Sequence, residues 1–176
     1  MTVALRPRRA AAPPASALLL CARQELALAV RSRWTQIFAV VFAGLSLAVA
    51  SSGYILSGGS GVQDFARTAA SLVQLALLLV PLTALVIGVL ALVPERGTAE
   101  LLFSQPVARR TILLGKLLGL FAALAAAQAV GFGAAGGVIF TRAGGQGVAG
   151  FVLLALFSLV LTAVFLGIAA LIAAGV

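Results

Sequence analysis

A chain of 176 residues that is 62% hydrophobic and 9% charged, with a mean hydropathy of +1.20, stands far from the roughly 25% charged content of soluble domains. It reads as an all-α integral membrane protein, and its net charge of +8 is answered by anionic lipid at a membrane surface rather than by nucleic acid. With no His, one Cys and one Met, Met1, neither a nucleophile and base pair nor a soft metal conduit can be assembled, so no catalytic residue and no metal site is assigned.

Residues 1–16 are basic and expected to be disordered. RPRR followed by ASALLLCA imitates a signal peptide and a lipoprotein box. Its apolar stretch is broken after about seven residues by Arg23, Gln24 and Glu25, Pro13 and Pro14 precede it, and bulky Leu20 stands before Cys21, so no cleavage is expected. Cys21 is expected to pack as a small apolar residue. Residues 17–35 then place Leu19, Ala22, Leu26, Ala29 and Val30 on one helical face, with Gln24, Glu25, Arg31 and Ser32 largely on the other. That pattern predicts a helix lying in the membrane surface. Trp34 would sit at headgroup level, and Arg31 and Arg33 would reach phosphates.

Four stretches are long enough to cross a bilayer, which takes about 20 apolar residues in helix: about 37–56, 69–93, 117–140 and 150–176. None carries a charge, and each charge at a helix centre would cost about 2.5 to 3.5 kcal/mol on insertion scales. Apolar residues all round, without alternation, exclude membrane strands. Six arginines precede the first span, the loop after it has only Arg67 offset by Asp64, the next loop has Arg96, Arg109, Arg110 and Lys116, and the last has Arg142. This alternation puts the N-terminus and the 94–116 loop in the cytoplasm of a bacterial inner membrane, with 36–176 as the transmembrane domain.

Within and around the spans, Ser60 with Gln63 forms a capping-box pattern that predicts a helix start near Gly61. Pro81 is expected to kink the second span and free carbonyls for a neighbour. Gln74 and Gln128 are the largest polar side chains at membrane depth, suited either to interhelical hydrogen bonding or to lining a substrate path. Gly133 with Gly137, and Gly115 with Gly119, are GxxxG pairs that let helices approach closely. GFGAAG at 131–136 matches a dinucleotide fingerprint only formally, since no strand precedes it. Gly115–Lys116 lacks the rest of a phosphate-binding loop.

The stretch ERGTAELLFSQPVARRTILLGK interrupts this apolar background. Pro94 and Gly97 end the second span, and Thr98 can cap a short helix over 99–104 with Glu100 at its positive end. Pro106 forces Gln105 from helical geometry and opens a second helix. That helix carries Arg109, Arg110 and Lys116 along the membrane surface as anchors. Helix, break, helix is more than a turn needs, and it suits a partner that pushes on or grips the loop.

The order ERGT, ELL, PVARR and LLGK, preceded by ARQELALAVRSRW, resembles permease subunits of the type 2 ABC exporter family. Within that family the chain is most similar to the permeases of nitrous oxide reductase maturation transporters, over roughly 18–140. The resemblance implies a permease without its own ATP site that binds a separate ABC ATPase carrying the ATP, pairs with a second permease copy and contacts membrane lipids, with no cofactor of its own. It further implies that Glu95, Arg96, Gly97, Thr98 and Glu100 form the coupling contact, while Arg109 and Lys116 fix the following helix. The same residues also serve as caps and positive-inside anchors, which leaves a non-transporting scaffold as the rival function. Permeases of this kind usually have six spans, so a four-span chain is expected to be a C-terminally truncated fragment. A copper role is associated with the maturation system, and a chain so poor in soft ligands would leave any metal to partner proteins.

Overall fold

A computed structural model describes residues 14–55, 61–93, 109–143 and 148–175. These form five helices and no strand: α1 Pro14–Arg31, α2 Arg33–Ile55, α3 Gly61–Leu92, α4 Arg109–Ala143 and α5 Val148–Gly175. The all-α membrane class expected from composition holds. Four helices contain apolar windows of spanning length, Arg33–Ser52, Thr68–Leu92, Arg110–Thr141 and Val148–Gly175, and the chain is a multi-pass membrane protein.

α1 opens on Pro14, whose fixed φ and missing N–H suit the first helical position. It ends where the backbone breaks at Ser32. There the Ser32 amide donates to the Ala29 carbonyl at 3.1 Å, and Gln36 Nε2 donates to the Val30 carbonyl at 3.2 Å. Two of the carbonyls a helix end leaves open are thereby satisfied, and the chain turns straight into α2, whose first bond runs from the Gln36 amide to the Ser32 carbonyl at 3.1 Å. Hydropathy alone would put the bend near residue 35; the backbone makes it at Ser32, so Trp34 belongs to α2.

α3 starts at Gly61, directly after the Ser60 of the capping-box pattern, and continues through Pro81 as one helix. Proline removes an N–H that would bond the carbonyl four residues back, and the nearby Thr83 hydroxyl donates to the Leu79 carbonyl. The carbonyl that Pro81 deprives of a partner is Leu77's, so this bond tightens the same turn without replacing the lost one. Its buried positions Leu72, Ala76, Val80, Ala84 and Ile87 recur every three or four residues and make a single stripe.

α4 is the hub, packing on α1, α2 and α5 and more lightly on α3, while α3 also packs on α5 and α2. Of its apolar window 44% is buried, against 22% of the α5 window, which marks it as the central helix. A run of aromatic rings joins α2, α4 and α5. Phe42 meets Phe132 edge-on at 5.2 Å between centroids, and Phe151 takes Phe132 at 6.0 Å and Phe140 at 5.6 Å, also edge-on. Such geometry sets the positive rim of one ring against the negative face of the next, for about 0.5 to 1.5 kcal/mol per pair beyond area burial. The outward faces are apolar: Leu78, Leu82, Phe157 and Leu171 are all more than 60% exposed. A soluble monomer does not show contiguous apolar surface of that kind, and lipid chains are its natural covering.

Candidate functional site

The expected ATPase-coupling residues Glu95, Arg96, Gly97, Thr98 and Glu100 lie outside the described residues, as does the expected short helix over 99–104. The structure describes both ends of the backbone that carries them. α3 closes with the Val93 amide donating to the Val89 carbonyl at 3.0 Å, and α4 begins at Arg109. These two ends are tied to each other. Lys116 Nζ donates to the Ala91 carbonyl at 3.2 Å from a half-buried position. A cation on the last carbonyls of a helix meets both an open acceptor and the negative end of the helix dipole. Lys116 therefore clasps the end of α3 to the first turns of α4.

The start of α4 is also held from the other side. Gly115 and Gly119 are buried against α1 so closely that a Cβ built on Gly115 would lie 2.6 Å from Cys21 Cβ, and one on Gly119 would lie 2.6 Å from both the Ala22 carbonyl oxygen and Glu25 Cβ. Backbone runs against backbone at this crossing, which only glycine permits. The other pair in the same helix behaves differently, since a Cβ on Gly133 or Gly137 would meet nothing within 4 Å. The glycines of α4 that pack deeper in the membrane are Gly131, 2.4 Å in the same sense from Phe42, and Gly136, 3.0 Å from Phe151. Nothing in the GxxxG spacing pointed to them.

Arg31, Arg33, Trp34 and Arg110 are exposed, on the helix ends that meet around this junction. Gln74 is exposed on α3. Gln128 is 1% exposed and bridges α4 to α5: its Nε2 donates to Thr162 Oγ1 at 2.6 Å, and its Oε1 accepts from Ser158 Oγ at 2.7 Å. Thr162 in turn donates to the Ser158 carbonyl at 2.9 Å. The Ser158 and Thr162 partners, one helical turn apart, were missed in the sequence, although they are two polar residues at i, i+4 in a helix that is otherwise apolar. Two other buried hydroxyls, Thr35 Oγ1 and Ser46 Oγ, have no hydrogen-bond partner.

What this arrangement can do is mechanical. The segment 94–108 joins two helix ends that are tied to each other, and one of those helices packs closely on α1.

Known proteins show the same segment. The chain is 42% identical over 116 residues to a protein of Pseudomonas aeruginosa described as a probable ABC transporter permease protein NosY, and the match covers 65% of this chain and 42% of that relative. It is 41% identical over 116 residues to the protein of the same description from Stutzerimonas stutzeri, with the same coverage. The matched part is thus less than half the length of these curated relatives. The profile of the ABC-2 family transporter proteins matches residues 19–175, from the second turn of α1 to the end of α5, and the chain belongs to that family.

Proposed function

We propose that this chain is a permease subunit of an ATP-driven ABC transporter of the bacterial inner membrane, with its N-terminus and the 94–108 loop in the cytoplasm. A separate ABC ATPase binds and hydrolyses ATP, and Glu95, Arg96, Gly97, Thr98 and Glu100 form the coupling contact in a groove of that ATPase. A second permease copy completes the transport path. Family membership over residues 19–175 supports the reading, as does the description of both relatives as permeases. The observation that carries the mechanical part is the clasp at the loop's base. Lys116 on the Ala91 carbonyl and α1 on Gly115 and Gly119 convert a push on the loop into movement of three helices rather than a local flexing. Rigid elements with tight interfaces transmit displacement in this way.

The test is co-purification of the chain with a co-expressed ABC ATPase subunit, with the ATPase rate measured for wild type and for the double variant Glu95→Ala, Arg96→Ala. The expected result is association and a changed ATPase rate in wild type, both lost in the variant while its protease resistance is unchanged. If the variant associates and stimulates as wild type does, the coupling contact is not at these residues. If wild type neither binds nor alters the ATPase, the transporter reading fails for this chain.

A further inference from the structure

We propose that the junction of α1, α2, α3 and α4 binds the headgroup of a phospholipid bearing a primary amine, with Glu25 as the receptor for its ammonium. A cleft of about 200 Å³ lies there, lined by Glu25 and Leu28 of α1, Trp34 and Thr35 of α2, and Leu90 of α3, with further apolar contributions from the same helices and from α4. It is smaller than the roughly 300–1,000 Å³ of pockets that enclose a drug-sized ligand, and suits a headgroup whose acyl chains remain outside.

The chemistry of the walls is specific. Glu25 is half-buried, and no described cation pairs with it; Lys116 of α4 is engaged on the Ala91 carbonyl. A half-buried carboxylate without a partner is costly, and a ligand cation relieves that cost. Thr35 also lines the cleft but is 4% exposed, its Oγ1 buried away from the surface, so Glu25 is the acceptor the cleft presents. Trp34 offers an indole face, the best of the aromatic surfaces for a cation, and belongs at headgroup depth. Leu90 and Ala91 bring the C-terminal end of α3, whose negative end is already met by Lys116 on the Ala91 carbonyl, so the ligand ammonium is received by Glu25 and Trp34.

Arg31 and Arg33 flank the cleft-lining Ser32 and Trp34 in sequence and are exposed, where a lipid phosphate would meet them. A carboxylate in the cleft wall with exposed arginines next to the lining residues in sequence suits a zwitterion whose ammonium meets Glu25 and whose phosphate meets Arg31 or Arg33. A lipid with an anionic, amine-free headgroup would satisfy the arginines and leave Glu25 unpaired. The apolar walls from Leu28, Ile87 and Leu90 point to the lipid, rather than the free headgroup, as the occupant. The proposal rests on the surface placement of α1 and is independent of transport.

Trp34 is the single tryptophan of the chain, so its emission reports on the cleft directly. The experiment uses the full chain in detergent micelles, titrated with short-chain phosphatidylethanolamine, phosphatidylcholine or phosphatidylglycerol, and with phosphoethanolamine alone. The expected result is a saturable emission change with phosphatidylethanolamine at about tenfold lower concentration than with either other lipid, as charge-assisted hydrogen bonds require. Phosphoethanolamine alone gives no change in that range. Glu25→Gln raises the phosphatidylethanolamine midpoint about tenfold and leaves that of phosphatidylglycerol unchanged. Equal midpoints for the three lipids in wild type overturn the proposal without reference to any variant. An unaltered midpoint in a folded Glu25→Gln protein removes the carboxylate from the site, and free phosphoethanolamine titrating as well as the lipid overturns the lipid assignment.

Discussion

Gly115–Gly119 and Gly133–Gly137 share one helix and one spacing, yet only the first pair meets a neighbouring helix. The first lies where α1 crosses α4, so close that added carbon would strike backbone; the second faces away from every described residue. Small residues at i, i+4 therefore state that close approach is possible, and whether a neighbouring helix covers their face at that level decides whether it happens. The two pairs stand 18 residues apart in α4, about five turns, and so fall on one face of it; α1 covers that face at Gly115 and Gly119, and no described residue covers it at Gly133 and Gly137.

The largest effect is expected at the tight pair. Gly119→Ala places a Cβ against the Ala22 carbonyl and Glu25, and overpacking of this kind costs about 1–3 kcal/mol. Gly119→Leu exceeds that and should prevent α1 from seating at all. Unfolding in detergent, followed by thermal melting and protease resistance, measures both. Wild-type stability in Gly119→Ala would show that α1 does not depend on the contact.

Next in size is the polar seam between α4 and α5, a different way of joining two membrane helices. Gln128→Leu removes the partner of both Ser158 and Thr162. Interhelical hydrogen bonds in membranes contribute about 0.6 kcal/mol on average and up to about 1.7 kcal/mol, so with two bonds lost a destabilisation of about 1–2 kcal/mol is expected. Ser158→Ala should cost less, since it leaves the Gln128–Thr162 bond in place. Lys116→Met comes third. The exposed, salt-screened version of a cation at a helix C-terminus contributes about 0.3–1 kcal/mol, and the same melting assay should show a loss in that range, shrinking as salt is raised if the dipole is the main part of it.

Much of the fold was legible because the physics it uses is local. Charge-free runs of spanning length mark α2 to α5, an amphipathic stretch ended by Arg31 and Arg33 marks α1, and Ser60 with Gln63 marks the start of α3. The seams were less legible because apolar helices give no hydropathy contrast to say which face is covered by protein and which by lipid. Gln36, which helps fix the bend after α1, carries no pattern that distinguishes it from any polar residue near a helix start. Gln128 was visible as a polar residue at membrane depth, but its engagement with Ser158 and Thr162 depends on how α4 and α5 are rotated. The residues expected to couple to an ATPase, read from motif order, fall in 94–108, outside the described residues.

The smallest effect on the fold is expected at the open pair, and it is the most informative. Gly133→Ala and Gly137→Ala add a methyl group where nothing lies within 4 Å, and alanine is preferred over glycine in a helix by about 1 kcal/mol. The stability of the single chain should therefore be unchanged or slightly raised. If these glycines serve a contact with a second copy, as their spacing suits, the same substitutions lower the dimer fraction in a crosslinking or single-molecule photobleaching assay at fixed protein-to-lipid ratio. A drop in dimer fraction with unchanged melting would give the two glycine pairs distinct roles, one seating the surface helix and the other receiving a neighbouring chain. Unchanged dimer fraction would leave Gly133 and Gly137 as lipid-facing positions, and the contrast would then be between a helix contact and none.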